Sequence, residues 1–401
     1  MRSENPKVKF NLLPTTKVSR FISFLKFFAE NLYKLMKHLP SGNKVVFLSR
    51  QSDKPGLDFL LLRDELLRRD PSVKIVMITK RLEKNLSSII RFVWYTFVSL
   101  YHLATSSVCV LDSYWPVVSM LQHKESLTVI QMWHAIGKMK QSGYQTLGKK
   151  YGRQEDIAEA MDMHKGYDVV IAGADSMNDY YCASFGVEKE QLLNIGLPRI
   201  DYLLENRKSN RDLLLTIYPQ LKGKTLVLYA PTFRRGVAID YSHVVKAFPS
   251  DKYALIVKPH PNQIVKNKEA LLPYMYNNLP TIAVLDACDI VITDFSAISF
   301  EAAVINKPIY FYLYDYENYL AINGVNINPY EEMPNSVFKN LDELINAIKN
   351  EPYDMAALQD FRERYLPAKM GYSTHRLTKL ILDCIRDGKY EGLRKNLIRK
   401  T

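Results

Sequence analysis

The 401-residue chain lacks the signals that mark the commoner enzyme chemistries. Its four cysteines, Cys109, Cys182, Cys288 and Cys384, are far apart and form no CxxC pair. That spacing excludes a zinc ribbon and suits a reducing compartment without structural disulfides. No GxGxxG, Walker lysine loop, GxSxG elbow or HExxH occurs, which sets aside dinucleotide redox, P-loop, acyl-hydrolase and zincin chemistry. The eight histidines show no metal-ligand spacing. No apolar run makes a confident membrane span. The best, Ile89–Ala104, contains Arg91 and reads as a buried or interfacial helix. The start has no basic segment leading into an apolar core and cleavage site, so secretion is not expected. Repeats, low-complexity tracts and a Gly-rich linker are also missing.

What is there is globular: 47% hydrophobic and 24% charged residues, in a length that suggests two or three domains. The formal net charge of +12 sits at the ends. Residues 1–40 hold eight Lys/Arg against two Glu, and residues 385–401 hold six against two acids. Basic ends on a nearly neutral body do not form a nucleic-acid groove, so no nucleic-acid partner is expected. Between Lys17 and Leu39, Ser19, Ser23, Lys26, Glu30, Lys34 and Lys37 recur at helical steps. The opposite face collects Phe21, Ile22, Leu25, Phe28, Leu32, Leu35, Met36 and Leu39. Such a basic amphipathic helix suits an anionic membrane surface; packing on the protein's own core is the competing reading.

From residue 44 the pattern alternates between strands and helices. Strands are expected at 44–49, 73–78, 108–111, 127–131 and 167–172, with helices at 56–69, 151–164 and 176–185 and a turn at 196–201. After a polar helix near 204–218 the alternation restarts. Strands are expected at 225–230, 253–258, 281–284, 289–292 and 308–313, with helices near 241–248, 266–277, 298–305 and 340–349. Alternation of this kind implies parallel sheets covered on both faces. The expected fold class is α/β with two Rossmann-like domains facing a cleft. The expected division is a membrane-associating arm (1–40), an N-terminal Rossmann-like domain (41–205), a C-terminal Rossmann-like domain (206–370) and a crossover helix (371–401).

Four polar insertions sit at or near strand ends, where ligands bind in open α/β sheets. One is Trp133-His134-Ala135-Ile136-Gly137-Lys138-Met139-Lys140-Gln141-Ser142-Gly143-Tyr144. The second is Ala230-Pro231-Thr232-Phe233-Arg234-Arg235, and the third is Lys258-Pro259-His260-Pro261. The last, Thr293-Asp294-Phe295-Ser296-Ala297-Ile298-Ser299-Phe300-Glu301, places hydroxyls and free helix amides where an anion would be favoured. An ordinary helix cap accounts for Asp294 and Ser296 equally well. Together the four outline an anion site.

In order and spacing, WHAIGKMKQSGY, YAPTFRR, KPHP and TDFSAISFEAAVINKPIYFY resemble the CDP-glycerol glycerophosphotransferase family over about residues 40–380. That family comprises teichoic-acid primases and polymerases and capsule polyol-phosphate transferases. The resemblance implies a GT-B-like fold on the cytoplasmic membrane face. The implied reaction moves polyol phosphate from a CDP-polyol, CDP-glycerol or CDP-ribitol, to a lipid-linked acceptor, releasing CMP. It implies His134 as the base and His260 beside the donor phosphates. Trp133, Gly137 and Lys138 would line the acceptor side. Thr232, Arg234, Lys258, Thr293, Asp294, Ser296, Ser299 and Glu301 would hold the donor, with Arg234 clamping a phosphate and Glu301 reaching ribose hydroxyls. No cofactor is called for, and metal dependence is open. The sequence departs from the family pattern at Ala135-Ile136-Gly137 and at Lys258-Pro259, which bears on the particular polyol and acceptor. Two other readings compete: a GT-B sugar transferase using a nucleotide-sugar, and a non-catalytic peripheral membrane protein.

Overall fold

A computed structural model describes residues 17–81, 86–205, 207–249 and 251–388. The basic stretches at 1–16 and 389–401 lie outside them. The N-terminal half is a six-stranded sheet: β1 (Gly42–Ser49), β2 (Lys74–Thr79), β3 (Ser106–Leu111), β4 (Thr128–Gln131), β5 (Val169–Ala172) and β6 (Leu192–Asn194). Its order is β2-β1-β3-β4-β5-β6, every pair parallel. The C-terminal half holds β7 (Thr225–Tyr229), β8 (Tyr253–Val257), β9 (Ile290–Thr293), β10 (Ile309–Tyr312) and β11 (Val337–Phe338). Its order is β11-β10-β9-β7-β8, again all parallel. Both sheets are doubly wound, and each reverses its winding beside its first strand, at β1/β3 and at β7/β9. The crevice outside the carboxyl ends of those strand pairs is where such sheets place ligands.

The strands are apolar nearly throughout because helices cover both faces. In β1, residues 45–49 are all buried, as are all four residues of β4 and of β10. One hydrophobic cluster runs from Val45–Leu48 through Trp115 and Ile130 into Leu228, Phe300 and Phe361, so it joins the two halves. A second cluster, around Val227, Leu255 and Leu344, lies in the C-terminal half. The last described helix, Ser373–Asp387, packs on β3 and on helix Leu57–Arg69, which returns the chain to the N-terminal half.

Three expectations change. Residues 281–284 form the start of a helix, Thr281–Ala287, and not a strand. Residues 283–287 are all buried, so the run carries no alternation, and an apolar run of that length suits a buried helix as well as a strand. The turn at 196–201 opens a helix, Pro198–Glu205, with proline at the position where the missing N–H costs nothing. The helix expected over 151–164 shrinks to Glu155–Ala160.

Helix α1 spans Lys17–Met36. It turns Ala29 and Tyr33 inward, with the Tyr33 hydroxyl 2.9 Å from His123 Nδ1, and it is anchored by an ion pair between Lys26 and Asp162. Its aromatic face is left outside: Phe21, Phe24, Phe27 and Phe28 are each more than half exposed, and Leu35 is 71% exposed. Helix α2 (Leu86–Thr105) packs beside it and adds exposed Ile90, Trp94 and Tyr101. Among the described residues no helix is long and apolar enough to cross a membrane.

Candidate active site

The loop leaving β4 carries Trp133 and His134. Trp133 adopts φ 60°, a left-handed conformation that is costly for a bulky side chain, and its N–H donates to Gln131 Oε1 at 2.9 Å. This kink turns the next residue into the cleft. His134 Nδ1 lies 3.0 Å from the Asp112 carbonyl oxygen and 3.1 Å from the Gln51 terminal amide. The Asp112 carbonyl can only accept and Gln51 Nε2 can only donate; the carbonyl contact assigns the proton to Nδ1, with the Gln51 amide turned so that its oxygen faces the ring, and Nε2 keeps its lone pair. Burial pushes the His134 pKa down to about 3, and Arg199, Lys138 and Lys140 push the same way. The ring is neutral at physiological pH.

His260, on the loop after β8, faces the same cavity. Its Nδ1 accepts from the Asn262 backbone N–H at 3.1 Å, so in the neutral ring Nε2 carries the proton. The ring stacks on Phe233, centroids 5.3 Å apart. Loss of water in the cleft, then Lys140 and Arg81, push its pKa down to about 4. The two histidines therefore present opposite chemistry: a bare nitrogen from the N-terminal half and an N–H from the C-terminal half.

The cavity that both histidines line has a volume of about 290 Å³. Of the residues singled out from sequence, it also receives Trp133, Gly137, Lys138, Ser296 and Glu301. Gly137 sits where a Cβ would come within 2.5 Å of the Phe300 ring, so only glycine lets the loop lie against helix Ile298–Val304. Lys138 is buried in a box of Trp133, Tyr181 and Phe185, its ammonium 3.9 Å from the Phe185 ring centre and 3.0 Å from Ser142 Oγ. Burial pulls its pKa well down. Glu301 Oε1 accepts from Arg199 at 3.1 Å, whereas Oε2 is buried without a partner. Burial raises the Glu301 pKa against the pull of Arg199.

The remaining residues make their contacts within the frame. Arg234 is spent on carboxylates: its guanidinium makes two bonds to Asp315, at 2.7 and 2.8 Å, and meets Asp294 at 2.9 Å. With Tyr319 stacked at 4.5 Å and the side chain 6% exposed, it has no face left for a phosphate clamp. Asp294 also accepts from the Thr232 backbone N–H at 2.8 Å, so it ties two strand ends together and does not orient His260. The Thr293 hydroxyl donates to the Ala230 carbonyl, and that of Ser299 donates to the Ser296 carbonyl. Lys258 turns away to the carbonyls of Tyr276 and Leu279. Thr232 is buried outside the cavity lining, its hydroxyl unpartnered.

Sequence reasoning missed Gln51, which touches His134, and the cavity-lining Arg199 and wall formed by Thr281, Ile282 and Leu285. Arg199 is the centre of a buried network, bonded to Asp58 and Glu301, and so joins the two halves beneath the cavity. The local signal that could have found it is Pro198, which suits the first position of a helix and sets Arg199 at its start.

A family model described as CDP-Glycerol:Poly(glycerophosphate) glycerophosphotransferase matches residues 31–383. The chain belongs to this glycerophosphotransferase family. A teichoic acid ribitol-phosphate primase of Bacillus spizizenii is 28% identical over 373 residues, 89% of this chain and 95% of the relative. A teichoic acid glycerol-phosphate primase of Bacillus subtilis is 30% identical over 301 residues, 72% of this chain and 76% of the relative. The wall teichoic acid polymerase TagF, in a variant soaked with CDPG, superposes with a TM-score of 0.72 at 19% identity, over 93% of this chain and 99% of that one. The chain thus has a GT-B-like fold.

Proposed function

We propose that this glycerophosphotransferase moves glycerol phosphate or ribitol phosphate from a CDP-polyol onto the hydroxyl of a lipid-linked acceptor, releasing CMP. The observation that carries the reading is the pair of histidines with opposite free nitrogens facing one cavity. His134 Nε2 takes the proton of the acceptor hydroxyl as its oxygen attacks the phosphorus bearing the polyol. The bond from that phosphorus to the oxygen it shares with CMP breaks, and the His260 Nε2–H donates to the departing phosphate. The Ser296 hydroxyl serves the pyrophosphate. Glu301 Oε2 accepts from a ribose hydroxyl, and Ile282 and Leu285 supply an apolar wall.

The membrane is met by the outward face of α1. Its phenylalanines, with Trp94 and Tyr101 from α2, enter the headgroup boundary, and the basic ends are drawn to anionic lipid. The protein then works at the cytoplasmic face as a peripheral enzyme.

Isothermal titration with CDP-glycerol, CDP-ribitol and a UDP-sugar tests the donor. Binding of a CDP-polyol that is lost in Glu301→Gln supports the reading and names the polyol. Binding of the UDP-sugar alone would move the protein to the sugar transferases.

A further inference from the structure

We propose that Arg50 and Arg153 form a subsite for a phosphodiester of the acceptor, between the membrane-facing helix and His134. This rests on the transferase reading above. Arg50 leaves β1 and Tyr114 follows β3, so the pair occupies the reversal of the N-terminal sheet. It is the counterpart of the β7/β9 crevice that holds Ser296 in the other half. The Arg50 backbone N–H donates to Ser113 Oγ at 2.9 Å, which fixes the chain there.

Both guanidinium groups lie over one ring. Arg50 is 5.2 Å and Arg153 5.1 Å from the centre of Tyr114. Among the described residues neither forms an ion pair with a carboxylate, whereas Arg199 and Arg234 each hold two. Arg153 Nη1 reaches only the sulfur of Met161, at 3.1 Å, and Arg50 Nε is buried with no partner. Burial first, and Arg153 next, bring the Arg50 pKa down to about 10. A guanidinium buried beside a second one, with neither ion-paired to a carboxylate, is an arrangement that an anion relieves. A phosphodiester is the anion such forks fit.

Position selects which phosphodiester. Gln51, the next residue after Arg50, touches His134. On the other side, Met161 adjoins Asp162, which is paired with Lys26 of α1. A contact path therefore runs from the lipid-facing helix through Arg153, Tyr114, Arg50 and Gln51 to the base. An acceptor drawn along it places the hydroxyl at His134 and the phosphate of the preceding polyol unit at the two arginines. The enzyme should prefer an acceptor that already carries a polyol phosphate over a bare saccharide.

The test compares two lipid-linked disaccharide acceptors, one bearing a glycerol phosphate and one without it. Wild type should show the lower acceptor KM with the phosphate, and Arg50→Gln and Arg153→Gln should each raise that KM about tenfold. The bare acceptor should be indifferent to either change, and Arg153→Lys should recover part of the loss. Equal KM for both acceptors in wild type, or equal losses on both in the variants, would overturn the subsite. A 31P line-broadening titration of the phosphorylated acceptor, without any donor, keeps this separate from turnover. Binding lost in Arg50→Gln supports the subsite even if no CDP-polyol is used, and binding unchanged in both variants refutes it.

Discussion

At the scale of single residues, the division between contact and support follows from counting partners. Arg234 satisfies two carboxylates from behind the cavity wall, and Arg199 satisfies two more while lining the cavity. Removing one member of a buried ion pair strands the others, at a cost of roughly 3–5 kcal/mol. Arg234→Ala should therefore lower the melting temperature sharply. A variant that melts like wild type but binds donor poorly would restore Arg234 to the ligand site. His134 makes the opposite case. Its ring is polarised by a backbone carbonyl and its remaining nitrogen is open. Because its pKa lies near 3, the free-enzyme rate profile should show no protonation step of this residue between pH 5 and 8. A limb near 6.5 that disappears in His134→Gln would contradict the assigned environment.

At the scale of elements, the histidine loop is held from the other half of the molecule. The Asn326 backbone N–H donates to Met139 O at 2.8 Å, its side-chain amide donates to Lys138 O at 3.1 Å, and its oxygen accepts from Gln145 at 2.7 Å. Lys140 and Val325 add an isolated antiparallel bridge. Asn326→Ala should loosen the loop and lower turnover more than donor affinity, with the fold intact by circular dichroism; an unchanged kcat would show the strap to be idle. Helix α1 carries a separate prediction. Phe24 is 57% and Phe28 53% exposed, so Phe24→Glu with Phe28→Glu should leave the melting temperature unchanged and abolish pelleting with anionic vesicles. Pelleting at the wild-type level would remove the helix from membrane contact.

The elements also differ in how well they could be read. Strands such as β1, β4 and β9 were legible because a buried parallel strand is a short apolar run closed by polar residues. Thr281–Ala287 was not, since its burial erases the alternation that separates strand from helix. The same limit applies to the site. Trp133, His134, His260 and Ser296 sit at strand ends and could be found locally. Asp315 lies 81 residues from Arg234, and Asp58 lies 141 from Arg199, so no local pattern shows that these arginines are already engaged.

At the scale of the whole molecule, histidines whose pKa values are pulled down in the folded state couple stability to pH. His134, near 3, and His123 and His260, near 4, titrate below their ordinary 6.5. The unfolded chain then binds more protons between those values, so stability is full above pH 6.5 and is lost as pH falls toward 4. Asp112 opposes this in part. Burial raises its pKa from 3.8 to about 6, which favours the folded state at low pH and loses that contribution as pH rises through 6. His164, also pulled well down by burial, adds to the histidines, and Glu301, raised by burial, adds to Asp112. With the histidines in the majority, the melting temperature should fall between pH 6.5 and 4, and a rise over that range would contradict the sign.

All of these scales meet in one reaction, and the most direct measurement is acceptor-dependent CMP release. Vesicles containing a lipid-linked acceptor are mixed with CDP-glycerol or CDP-ribitol and either wild type or His134→Gln. The account predicts CMP from one CDP-polyol only when acceptor is present, reduced by a factor of about 10² or more in the variant. CMP release that ignores the acceptor, or that survives the loss of His134, would contradict it.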